Sequence, residues 1–94
     1  MNSELVAIIG NTQTTHYILS SIFDEAIKEH LNKCLNMFSQ EAQVAFEHDA
    51  KMICKDYRLN FIKSNLDKPC NQIDMTYIKK CCGMINVILE NGIY

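Results

Sequence analysis

No tryptophan, a single proline and only three glycines occur among the 94 residues, and these scarcities already exclude several classes of protein. So little Gly and Pro is incompatible with collagen-like or low-complexity sequence, and 48% hydrophobic content argues against intrinsic disorder. A helix needs about 20 apolar residues to cross a bilayer. The longest apolar run here, "LVAII" at 5–9, is far shorter and lacks the basic flank of a secretory signal. No membrane association and an intracellular location are therefore expected. Neither sign of charge is in excess: nine basic against eleven acidic residues leave a formal −2. Nucleic acid or anionic lipid is then attracted only through a local basic patch.

Cysteine is present but unpatterned. Cys34, Cys54, Cys70, Cys81 and Cys82 make an odd set with no CxxC pair, so reduced thiols are expected rather than a disulfide framework. Cys54 and Cys81 fall at helical core spacing, where a free thiol behaves as a small hydrophobe.

What is abundant is helical periodicity. "MNSELVAIIGN" reads either as a short capped turn or as a short strand, and Gly10-Asn11 marks a break. In "TTHYILSSIFDEAIKEH", residues Leu19, Ile22, Phe23, Ala26 and Ile27 share one stripe, which predicts a helix over 13–29. "LNKCLNM" either continues that helix or bends; its two asparagines and the Ser39 cap just beyond favour a bend.

"FSQEAQVAFEHDAKMICKDYRLNFIKSNLDKP" (38–69) holds no Gly and no Pro until its last position. It predicts one helix over 39–66, roughly 39 Å long, opened by Ser39 as cap and Glu41 at the positive end of the dipole. Ala42, Ala45, Phe46, Ile53, Tyr57 and Phe61 form its stripe, widened by Ala50, Cys54 and Ile62. Pro69 ends it. Asp74 then caps a third helix and tail over 74–91, with Tyr77, Ile78, Cys81, Cys82 and Ile85 on one face and Gly83 as a possible stop or bend.

A compact chain of this length has a radius of gyration of about 12–13 Å, so the long helix spans or overhangs the whole globule. One all-α domain, 1–94, is expected, with a core small enough to suggest completion by a partner. Medium helix, long central helix and short third helix make the outline of a histone fold; a bundle of unequal helices is the competing outline.

The stretch "HYILSSIFDEA" (His16 to Ala26) resembles the first helix of the centromere protein S family, the histone-fold proteins associated with the Fanconi anaemia group M translocase. The likeness lies in a His-Tyr pair followed by an apolar amphipathic turn or two and an acidic pair, Asp24-Glu25. Spacing from Phe38-Ser39 through the long helix to Ile73 and Ile78 is also similar. The resemblance implies a nuclear, non-catalytic subunit without cofactor or metal. It would pair with a centromere protein X-like histone-fold chain as a heterodimer or heterotetramer, and bind duplex DNA in kinetochore assembly or DNA repair. Phe46, Ile53, Tyr57, Phe61 and Ile78 would form the partner interface, unless they fill the chain's own core. Lys28 and Lys33 by the first loop, Lys63 and Lys68 by the second, and Lys79 and Lys80 on the third helix would grip phosphate. The chain departs from the family in "FIKSNLDKPCN", which lacks the usual basic His-Ala-Lys/Arg ending of the second helix. A helical adaptor or transcription-factor subunit without DNA contact is the alternative.

Other chemistry finds little support. His30 and Cys34 are four apart and could form half a zinc site on a continuous helix, but no standard spacing completes it. A Cys-His hydrolase lacks a Gly-rich turn and an oxyanion donor.

Overall fold

The computed structural model describes residues 12–36 and 38–91; the opening segment, with "LVAII" and the Gly10-Asn11 break, lies outside them. The described residues form three α-helices and no strand. These are α1 (Thr12–Leu35), α2 (Gln40–Asn65) and α3 (Thr76–Asn91), with one 3₁₀ turn, Cys70–Gln72, between the last two.

Helix α1 outruns the expected 13–29. Leu19, Phe23, Ile27, Leu31 and Cys34 are all buried along it, so the apolar line continues through "LNKCL", where a bend was favoured. Asn32 and Asn36 point to solvent and do not interrupt that line. Helix α1 ends at Leu35 and α2 begins at Gln40. The Gln43 side chain donates from Nε2 to the carbonyls of Leu35 and Phe38, both at 3.1 Å, which satisfies acceptors that the helix end leaves open.

Helix α2 begins as its sequence predicts. The Ser39 hydroxyl accepts from the Ala42 N–H at 3.3 Å, with Glu41 in the first turn. Its buried residues are Phe46, Ala50, Cys54, Phe61, Ile62 and Asn65. Ala50 and Cys54, expected only to widen the stripe, lie on its axis, and Ala45 is exposed. After Asn65 the chain turns at Pro69 and reaches α3 with Asp74. That carboxylate accepts from the Thr76 N–H at 2.9 Å and from the Thr76 hydroxyl. Those bonds, the hydroxyl's first, hold Asp74 below the usual carboxylate pKa.

Helix α3 buries Ile78, Cys81 and Ile85 and runs unbroken through Gly83. That glycine is exposed, and a Cβ there would meet no atom within 4 Å. Gly83→Ala is therefore expected to raise stability by about 0.5–1 kcal/mol, the helical penalty of glycine relative to alanine. Chemical denaturation checks it, and a lower unfolding midpoint would contradict it.

The helices are antiparallel neighbours in sequence order, and each touches the other two. One continuous core joins them, with Phe23 and Phe61 rings 5.8 Å apart and Phe38 and Phe46 rings 5.4 Å apart. The body measures 48 × 20 × 18 Å with a radius of gyration of 15.4 Å, well above the about 12–13 Å of a compact chain. Two long helices side by side set that length, and they leave a groove between them.

Candidate partner-binding groove

The groove lies along α1 and α2, and no α3 residue lines it. Phe23, Ile27, Leu31, Leu35 and Cys54 form an apolar floor, and the space above them is about 490 Å³. From Phe23 to Leu35 the floor extends roughly 18 Å at 1.5 Å per residue. Asp24, Lys28 and Asn32 rim it from α1; Glu47, Lys51, Lys55 and Arg58 rim it from α2. The helical period explains both rims. Asp24, Lys28 and Asn32 recur every four residues, and Glu47, Lys51, Lys55 and Arg58 follow at intervals of four, four and three.

Charge on the rim is unequal. Arg58 forks onto Asp24, with Nε donating to Oδ1 at 2.9 Å and Nη2 to Oδ2 at 3.1 Å. This bond pushes the Arg58 pKa further up and ties α1 to α2. Among the described residues, no carboxylate stands within ion-pair distance of Lys28, Lys51 or Lys55. Four cations against two carboxylates leave the rim positive. An apolar floor beside a cationic α2 edge, with Lys28 opposite, suits an amphipathic helix with an acidic flank, whose apolar face lies on the floor while its carboxylates meet the lysines.

The five residues expected at a partner interface divide. Phe46, Phe61 and Ile78 are buried inside the chain's own core, the alternative that the sequence left open, and they present no surface in the single chain. Ile53 and Tyr57 are half-buried, Tyr57 against the core. Apolar surface on α2 is instead carried by Val44, Met52 and Leu59. Met52 and Leu59, seven apart, share one solvent-facing line.

The six lysines expected to grip phosphate are all exposed, but one chain does not gather them. Lys28 belongs to the groove rim and Lys33 to the last turn of α1. Lys63 is in the last turn of α2, and Lys68 in the following loop lies 3.9 Å from the Asp74 carboxylate. Lys79 and Lys80 are on the first turns of α3, with Lys80 over the Tyr77 ring at 5.4 Å. Because α1 and α2 are antiparallel, Lys33 lies at one end of the body and Lys63 with Lys68 at the other. Sequence reading passed over Lys51, Lys55 and Arg58, although their 4,3 spacing places them on one flank of a predicted helix.

His30 and Cys34 do not act together. His30 donates from Nε2 to Asn86 Oδ1 at 2.8 Å, joining α1 to α3, while Cys34 is buried with its thiol pKa raised by desolvation. Among the described residues no three His, Cys, Asp or Glu side chains are grouped so as to hold a metal ion, and no helix is long and apolar enough to cross a membrane. Comparison with protein-family models, with curated proteins and with solved structures returned no match to the chain.

Proposed function

We propose that this chain is a non-catalytic helical subunit that binds an acidic amphipathic helix of a partner protein along the α1–α2 groove. The observation that carries the reading is the apolar floor flanked by Lys28, Lys51 and Lys55, three cations with no carboxylate at ion-pair distance among the described residues. Filling the floor contributes modestly, at about 25 cal/mol per Å² of apolar area removed from water, because Phe23, Ile27, Leu31 and Cys54 are already buried and Leu35 is the floor residue with most surface left to cover. The lysines supply orientation and association rate more than affinity.

The resemblance to centromere protein S gives this reading its specific form. In it the partner is a centromere protein X-like histone-fold chain, the assembly is a nuclear heterodimer or heterotetramer, and duplex DNA is a further ligand in kinetochore assembly or repair. Helix order and the long α2 support it; α1, at 24 residues, is longer than the medium first helix of that outline. Lys33 of one chain and Lys63 and Lys68 of another would meet only across such a dimer. A protein-only adaptor is the second reading. It is favoured by the separation of those lysines within one chain and by a groove whose floor offers phosphate no hydrogen-bond donors.

Light scattering of the chain alone and co-expressed with a centromere protein X-like partner tests the assembly. A defined heterodimer or heterotetramer is expected from the histone-fold form, and an indifferent folded monomer would end it. For any partner so found, the double substitution Lys51→Glu, Lys55→Glu is expected to weaken binding at least about 10-fold, with slower association. Unchanged affinity would remove the groove from the interface. DNA contact by the complex would show as affinity falling steeply with salt; a complex that forms but does not bind DNA would leave the adaptor.

A further inference from the structure

The floor of the groove contains a thiol with a close neighbour behind it. Cys54 on α2 lines the groove, and its Sγ lies 3.2 Å from the Sγ of Cys81 on α3, 27 positions later in the chain. Cys81 is fully buried, while Cys54 keeps 9% of its surface. A small oxidant entering the groove therefore meets Cys54 first. The remaining described thiols are placed differently: Cys34 is buried on α1, and Cys82 is half-buried and adjacent in sequence to Cys81.

From this juxtaposition we propose that Cys54 and Cys81 form a peroxide-responsive thiol pair, with Cys54 the sulfur attacked and Cys81 the resolving sulfur of an intrachain disulfide. A disulfide requires about 2.05 Å between sulfurs, so the pair must close by roughly 1.1 Å, within the reach of side-chain rotation and a slight approach of α2 to α3. Exposure divides the roles, since Cys54 faces the groove and Cys81 is fully buried. Either sulfur can donate in the hydrogen bond between them; with Cys81 as donor the Cys54 pKa is lowered and that of Cys81 raised, and burial raises the latter further. Cys82 and Cys34 are raised by desolvation. Since the thiolate is the nucleophile, Cys54 is the favoured site of attack.

The chemistry balances with hydrogen peroxide as the two-electron oxidant. The Cys54 thiolate attacks one peroxide oxygen and the O–O bond breaks. Cys54 becomes a sulfenic acid, and the departing oxygen, with the proton Cys54 has given up, leaves as water. The Cys81 sulfur then attacks the Cys54 sulfur and expels its hydroxyl, which takes the Cys81 proton and leaves as a second water. Two thiols have lost two electrons and the peroxide has gained them.

The test uses the full-length chain and hydrogen peroxide. After brief oxidation, remaining thiols are capped with a maleimide under denaturing conditions and the protein is digested for mass mapping. The expected result is loss of two of the five capping sites and one dominant cross-link, between Cys54 and Cys81, with melting raised by roughly 10 °C because a closed loop of this length restricts the unfolded chain. Cys82→Ser should leave that cross-link unchanged. Cys81→Ala should leave Cys54 as a sulfenic acid that a cyclic 1,3-dione labels. Full capping after oxidation, a dominant Cys81–Cys82, Cys34–Cys82 or intermolecular cross-link, or Cys54 overoxidised without cross-linking in the unmutated chain would each overturn the proposal.

Discussion

Phe61→Ala is expected to lower folding stability by about 3–5 kcal/mol, from a total of only about 5–15 kcal/mol for a small domain. The Phe61 side chain is completely buried, and its ring packs at 44° to that of Phe23 with centroids 5.8 Å apart. Truncation removes that contact and opens a void between two long helices. The groups around the lost ring relax only partly into the void, so the cavity penalty adds to the lost transfer energy. Urea unfolding reads the effect: the midpoint should fall sharply with the slope unchanged. Met52→Ala and Leu59→Ala, on the exposed side of the same helix, should shift it by no more than about 0.5 kcal/mol. The contrast also bears on interface assignment. A residue serving only a partner could be truncated without harm to the isolated chain, so a wild-type midpoint for Phe61→Ala would overturn its place in the core and return it to the interface.

The division between what the sequence told and what it concealed follows from the range of the forces involved. Local signals were legible: Ser39 opens α2 with its hydroxyl on the Ala42 N–H, Pro69 stands in the loop after it, and Asp74 bonds the first turn of α3. The all-α class followed from periodicity. The end of α1 was misplaced because two asparagines carry a weak breaking tendency, whereas Leu31 and Cys34 gain burial against the other helices. Gly83 was suspected for the same reason and is carried through by Cys81 and Ile85 on the opposite face. Which side of an apolar stripe meets the chain's own helices is a tertiary matter. Phe46 and Phe61 therefore read equally well as core or interface until α1 was seen against them. The basic flank at Lys51, Lys55 and Arg58 was visible as spacing, but its meaning depended on an apolar floor supplied by α1. The Cys54–Cys81 contact joins residues 27 apart on different helices, and no local pattern announces it.

Asn65→Leu is expected to cost roughly 2–4 kcal/mol, through polar groups left unpaired rather than through a cavity. Asn65 is the last residue of α2 and is fully buried, yet every one of its polar atoms is engaged. Its Oδ1 accepts from the Asp74 N–H at 2.7 Å, and its Nδ2 donates to the Asp74 carbonyl at 3.0 Å and to the Phe61 carbonyl at 2.8 Å. One amide thus pairs both backbone groups of the residue that leads into α3, fastening the end of α2 to the start of α3 across the loop. Leucine has the same branching and number of side-chain heavy atoms and is bulkier, so no cavity opens while two peptide groups at Asp74 lose their partners. Asn65→Asp sharpens the point. Its carboxylate keeps the acceptor for the Asp74 N–H but loses the donor, and it places a negative charge in a buried site. Burial raises the folded-state pKa of such a group. The folded chain then holds the proton more tightly than the unfolded one, and stability falls as pH rises above about 4, the unfolded value. Asn65→Asp should accordingly be least destabilised in acid, whereas the deficit of Asn65→Leu should carry no such added titration. Amide exchange locates the damage: protection should be lost first from Asp74 through the first turns of α3, with α1 retained. A wild-type unfolding midpoint for Asn65→Leu would mean that the turn at Pro69 and the buried face of α3 hold the helix in place without the clamp.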